Sequence, residues 1–265
     1  MNLSKYTYLF FAITFLLSLK YPIYANAMRD TVEMKKIEAG EFLMGSKKKE
    51  GRADERPQRN IYLDTYEIDS YEVSNKRYLK FIRDTGRKDP ANPYSSGLLS
   101  AEAGVENLPV VQVTWYDAVD YCRWAGKHLP SEAQWEKAAG SGRGCEFPWG
   151  EGFDIVNPPA RGGLKLNDKA SPVGSFPPNQ NGLHDTAGNV WEWVSDWFSI
   201  RFYYADILHN PRGPIRGLMK VRRGGSWSDS VIAMTSGYRD WSYPLSRGFN
   251  DIGFRCAINL KTLGE

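Results

Sequence analysis

A single α+β domain rich in coil is the fold class this sequence predicts, and three observations predict it. Amphipathic helical patterns with matched start and stop residues occur only between residues 74 and 140. Short runs that alternate aromatic or aliphatic with polar residues flank them on both sides, as strands do. The chain carries 25 Gly and 15 Pro, enough to turn the backbone many times between such short elements. No internal repeat, low-complexity tract or linker divides the 265 residues.

Residues 1–27 stand apart from that domain. Residues 6–19, YTYLFFAITFLLSL, are uncharged and largely apolar, and Ala25-Asn26-Ala27 supplies an A-x-A cleavage pattern. This reads as a secretory signal peptide, with the folded domain in 28–265 and an exported location, periplasmic or secreted. An uncleaved anchor is the alternative, but a helix over 6–19 rises only about 21 Å against a hydrocarbon core of roughly 30 Å. No Cys follows the apolar run, which argues against a lipid anchor. Lys5 and Lys20 are the segment's only charges, so the rest of the chain is close to neutral. Neither nucleic acid nor a charged membrane surface is then expected as a partner.

The domain opens on VEMKKIEAGEFLMGS, an entry strand within 28–45 that Gly45 breaks. KKKEGRADERPQRN, residues 47–60, is charged and reads as an exposed loop. Residues 61–73 alternate apolar with polar and predict a strand. Ser74 then caps a helix whose apolar face is Tyr78, Leu79, Phe81 and Ile82, and Gly86 stops it. Residues 87–109 are a Pro-, Gly- and Ser-rich loop, and LPVVQVTW, 108–115, reads as a short strand. Thr114 and Asp117 form the capping pattern of a second helix, with Val119, Cys122 and Trp124 close to one face. Ser131 and Gln134 make an S-x-x-Q capping box for a third, which Gly140 ends. Beyond 141, turn residues dominate to about 183, and strand-like pieces follow: GNVWEWVSDWF, RRGGSW and IGFRCAIN. Nine Trp and fifteen Tyr suit such a fold, since large rings fill irregular space.

The chemistry-bearing residues are few. Cys122, Cys145 and Cys256 contain no C-x-x-C pair, and in an oxidising compartment one pair would leave one over. His128, His184 and His209 lie too far apart in sequence for a zinc site of the usual spacing.

FLMGS, YEVSNKRYLKFI, LPVVQVTWYDAVDYCRWAGKHLPSEAQWEKAA, FPWG, GNVWEWVSDWF, RRGGSW and IGFRCA occur in this order. The chain thereby resembles the formylglycine-generating enzyme family, the sulfatase-modifying factors, over nearly all of 33–260. The resemblance implies a C-type-lectin-like variant of the α+β class. It also implies a copper ion on two cysteines three and eight residues past the serine of the GGS turn, where thiolates suit Cu(I). Those positions here are Asp229 and Met234, so copper is not expected. A disulfide between Cys122 and Cys256 is implied, as is calcium bound by Asp185 and Glu192 through carboxylates and by Gly188 and Val190 through carbonyls. A second calcium site near Asn157 lacks its expected pattern.

The resemblance places a pocket at Ser226, Trp227, Asp229, Arg239, Asp240, Trp241 and Arg247. Trp227 and Trp241 could stack a ligand or pack a core. Ser226 has no His near it in sequence, so a Ser-His-Asp site is unsupported, and Asp229 is the one candidate base. Three readings follow. The first is an exported maturation or accessory factor that acts on a protein or metabolite without copper. The second is a lectin-fold binding module without catalysis. The third is a formylglycine-generating oxidoreductase with displaced metal ligands.

Overall fold

The computed structural model describes residues 29–47, 49–87, 104–140, 147–150, 169–247 and 250–260. Residues 1–27, expected to be a signal peptide, and Cys145 and Asn157 lie outside the described residues. Among those described, no helix is long and apolar enough to cross a membrane.

Among the described residues, nine short strands form three sheets. β1 (Met34–Ile37), β4 (Tyr66–Asp69) and β9 (Ala257–Asn259) make an antiparallel sheet in the order β1-β4-β9. β2 (Gly40–Met44) pairs with β3 (Arg59–Leu63). β5 (Trp191–Trp197), β6 (Lys220–Arg223), β7 (Arg239–Ser242) and β8 (Ile252–Gly253) build the third sheet in the order β7-β6-β5-β8, with only the β5–β8 pair parallel.

The helices form where local chemistry directs. α1 (Asn75–Thr85) starts at Ser74, whose side chain accepts from the Arg77 amide, and stops at Gly86, which takes φ 64°. α2 (Trp115–Trp124) and α3 (Glu132–Ala139) each begin in a complete capping box, Thr114 with Asp117 and Ser131 with Gln134. α1 and α2 bury Tyr78, Phe81, Tyr121 and Cys122 against Trp191, Trp193 and Phe254, forming the main core. Cys122 and Cys256 are joined by a disulfide across a sequence separation of 134, with Cα atoms 5.7 Å apart.

Several expectations are corrected. The entry strand is two strands, broken at Glu38-Ala39, and Gly40 opens the second at φ 145°. The strand over 61–73 breaks at Asp64-Thr65 and stops at Asp69. Residues 108–115 form no strand: Gln112 takes φ 60°, and the Val110 amide bonds the Val73 carbonyl instead of a ladder. Val110 and Val113 are nevertheless fully buried, so their apolar character reflects anchoring into the core. The charged loop hides Asp54 and Glu55; Ser46 donates to Glu55 and Arg52 pairs with Asp54.

Candidate functional site

The GGSWSD turn leaves β6 through two glycines at φ 97° and 74°. Both are required. A Cβ on Gly224 would lie 3.2 Å from Trp135, and one on Gly225 would lie 2.9 Å from the Ala233 carbonyl oxygen. The turn delivers Ser226 into full burial. Its amide donates to Asp229 Oδ2 at 3.1 Å. Its Oγ lies 2.5 Å from Asp229 Oδ2 and 3.1 Å from Asp251 Oδ2, with one proton to give. Ser228 Oγ sits 3.0 Å from Ser226 Oγ and donates to Asp251 at 3.2 Å. The Trp227 amide donates to the Asn189 carbonyl, which holds the backbone of the half-buried Trp227 next to this cluster. Among the described residues, the Trp227 indole nitrogen and Asp251 Oδ1 are buried atoms without a hydrogen-bond partner.

The other residues expected in the pocket go elsewhere. Arg239 has no exposed surface. It forks onto Glu132 at 2.8 and 2.6 Å, and donates to the Asp54 and Ser199 carbonyls. It belongs to a charged core with Arg223 and Glu136, where burial pushes the Glu136 carboxyl up despite the Arg223 charge. Asp240 pairs with Arg222 directly across the β6–β7 ladder at 2.6 Å. Trp241 faces outward from strand β7, 6.2 Å from Phe198. Arg247 pairs with Asp117 in the first turn of α2 at 2.9 Å. The structure therefore gathers Ser226, Trp227 and Asp229, and adds Ser228 and Asp251. Asp251 went unnoticed because it is far along the chain; its place just before the IGFRC run was the available signal.

Residues 22–260 match the sulfatase-modifying factor enzyme 1-like domain. The chain belongs to this family. Pkn1 of Chlamydia trachomatis serovar L2, named a serine/threonine-protein kinase, is 38% identical over 244 residues, which are 86% of this chain and 38% of that protein. The chain thus spans well under half the length of such relatives. The formylglycine-generating enzyme of Mus musculus is 33% identical over 281 residues, covering 86% of this chain and 75% of that one. PvdO from Pseudomonas aeruginosa superposes with a TM-score of 0.73 at 28% identity, over 86% of this chain and 95% of that structure. The coil-rich α+β, lectin-like fold of the family is thereby shared.

This family member does not fit copper at the turn. Asp229 is bonded to Ser226, and Met234 is packed against Ala187 in an apolar cluster with Trp149. One thioether and a carboxylate do not replace two thiolates. The two cysteines described are already joined.

The loop expected to bind calcium has its carboxylates engaged by protein donors. Asp185 accepts the Gly174 and Phe176 amides, while Glu192 accepts a forked Arg255 and the Trp135 indole. Glu72, buried beside them, is pushed well up by burial and by the Asp185 and Glu192 charges. Glu72, Asp185 and Glu192 share one Arg255, but among the described residues no group of three or more His, Cys, Asp or Glu side chains is arranged to hold a metal ion. Binding one would require Asp185 and Glu192 to release oxygens now held by protein donors.

Proposed function

We propose that this chain is an exported, copper-independent accessory factor that holds a protein or small-molecule partner at the Gly224–Asp229 turn and acts on it there. The observation that supports this reading is the pair of unmet groups beside Ser226. The Trp227 indole N–H lacks an acceptor and Asp251 Oδ1 lacks a donor among the described residues. A buried polar atom without a partner costs about 1–3 kcal/mol, which a partner with one acceptor and one donor would recover. Asp229 and Asp251 are the acids within reach of such a partner.

Binding without chemistry is the second reading. Full burial of Ser226, and its use as a donor between two aspartates, favour it. The full chain, incubated with extract from the exporting compartment of a deletion strain, separates the two by intact mass of what is captured. A mass change in the partner, lost with Asp229→Asn while capture persists, supports the accessory factor. Capture without change leaves a binding module, and no capture removes both. The formylglycine-generating reading requires copper to be retained after purification, and the residues at 229 and 234 argue against that outcome.

Calcium in the 185–192 loop is part of the proposal. Millimolar calcium should raise the unfolding temperature, and Asp185→Asn should abolish the rise. An unchanged temperature in the wild type would leave Arg255 as the sole counter-charge.

A further inference from the structure

We propose that the cavity between the end of β3, the start of α3 and the end of β9 is a ligand site for a small polyhydroxy carboxylate, the chemistry of a sugar acid. It shares no residue with the Ser226 turn. Its volume of about 310 Å³ lies in the range of small-molecule sites, roughly 300–1,000 Å³.

Charge selects the ligand's anionic group. Arg212 lines the cavity, is exposed, and forms no ion pair with a described residue. The one lining carboxylate, Asp64, is engaged by the Asn210 side-chain amide at 2.6 Å and lies 3.5 Å from His209 Nε2. Arg212 therefore offers its planar fork to an incoming group, and a carboxylate matches that fork in shape and charge. A phosphate, at about −1.5 to −2, would bring more charge than one guanidinium beside Asp64 can balance.

The remaining lining selects hydroxyls. His128 Nδ1 lies 2.8 Å from the Leu129 carbonyl, so Nδ1 carries the proton and Nε2 is an acceptor. Burial, with Arg212 nearby, lowers its pKa and keeps the ring neutral. Nε2 is buried beside Asn259 without a well-formed hydrogen bond, so a ligand O–H that displaces the Asn259 side chain meets an acceptor there. Gln134 holds the Asn259 side chain at 2.8 Å, and Ser131 accepts the Gln134 amide with its own proton left to donate. Leu63, Leu129 and Leu260 supply apolar wall for the C–H faces of a ring.

Isothermal titration of the full chain with D-glucuronate tests this, with its methyl ester, glucose and inorganic phosphate as comparators. Glucuronate should bind, and the ester should bind about tenfold more weakly, the size of one lost charge-assisted bond. Arg212→Gln, at an exposed position, should cost the same factor toward glucuronate and nothing toward the ester. Leu260→Trp, at the rim, should reduce binding of both. Absence of heat at millimolar glucuronate would overturn the site. Phosphate binding as tightly as glucuronate, or indifference to Arg212→Gln, would overturn the assignment of the ligand. Capture at the Ser226 turn should be untouched by Arg212→Gln, so the two sites stand or fall separately.

Discussion

Two buried titratable side chains in contact with Ser195 give stability opposite slopes in two pH ranges. Asp196 is 2% exposed and accepts from the Glu132 amide and the Ser195 hydroxyl. Burial, then the nearby Glu132 charge, pushes its carboxyl up to about 7. A raised acid holds its proton in the folded state while the unfolded chain releases it. Its contribution is thus present at low pH and lost as pH rises toward about 7. Lys220 is 3% exposed, with Nζ 3.8 Å from both the Trp115 and Trp197 rings and donating to the Ser195 carbonyl. Burial outweighs the Asp196 charge and pushes the amine down to about 8. Stability gains from it as pH rises from about 8 toward the ordinary lysine value of 10.5. Urea unfolding should therefore weaken between pH 5 and 7 and strengthen between pH 8 and 10. Asp196→Asn should shrink the first arm by about 2 kcal/mol or more, and Lys220→Met the second, at roughly 1.4 kcal/mol per pKa unit. A profile unchanged by either substitution would refute this account of the two groups.

At the scale of elements, the glycines of the Gly224-Gly225 turn decide where Ser226 and Asp229 sit. Gly225→Ala combines a left-handed backbone with a Cβ 2.9 Å from a carbonyl oxygen that cannot move aside easily. It should cost about 2 kcal/mol or more in a urea midpoint and lose partner capture with it. Loss of stability with capture intact would mean that the turn is scaffolding only. The helices were legible in sequence because caps are local: Thr114 with Asp117 and Ser131 with Gln134 close their boxes within four residues. Residues 108–115 were misread because Val110, Val111 and Val113 make a short β-branched run of strand character. Their backbone bonds, however, are set by Val73 and by the left-handed Gln112. β7 was missed because its residues, RDWS, mix one buried arginine with an exposed tryptophan, and only pairing with β6 makes them a strand.

Across the whole molecule, distant segments are tied by one covalent bond and by buried charge. The disulfide joins α2 to the residue before β9. Replacing Cys122 and Cys256 together by Ala should cost about 4–5 kcal/mol if the constraint acts on the unfolded chain. Reduction should reproduce that loss, whereas equal stability with and without the bond would mean that the core alone suffices. Arg239 with Glu132, Arg223 with Glu136 and Arg255 with Glu192 connect β7, β6 and the β8–β9 segment to α3 and β5. These pairs explain why arginines near the GGSWSD turn resemble ligand-binding groups in sequence yet serve the interior.

The sequence by itself determined the family, the class of fold, the starts of the three helices and the loss of the two thiol positions. All of these are either local patterns or residue identities in a fixed order. Only the tertiary structure decided which charges are available. Whether Arg239 faces a ligand or Glu132, whether Asp251 meets Ser226, and whether Arg212 stands over a cavity with His128 depend on segments far apart in sequence. Burial and pairing are properties of those long-range contacts, and they fix the chemistry of a charged side chain more strongly than its neighbours along the chain do.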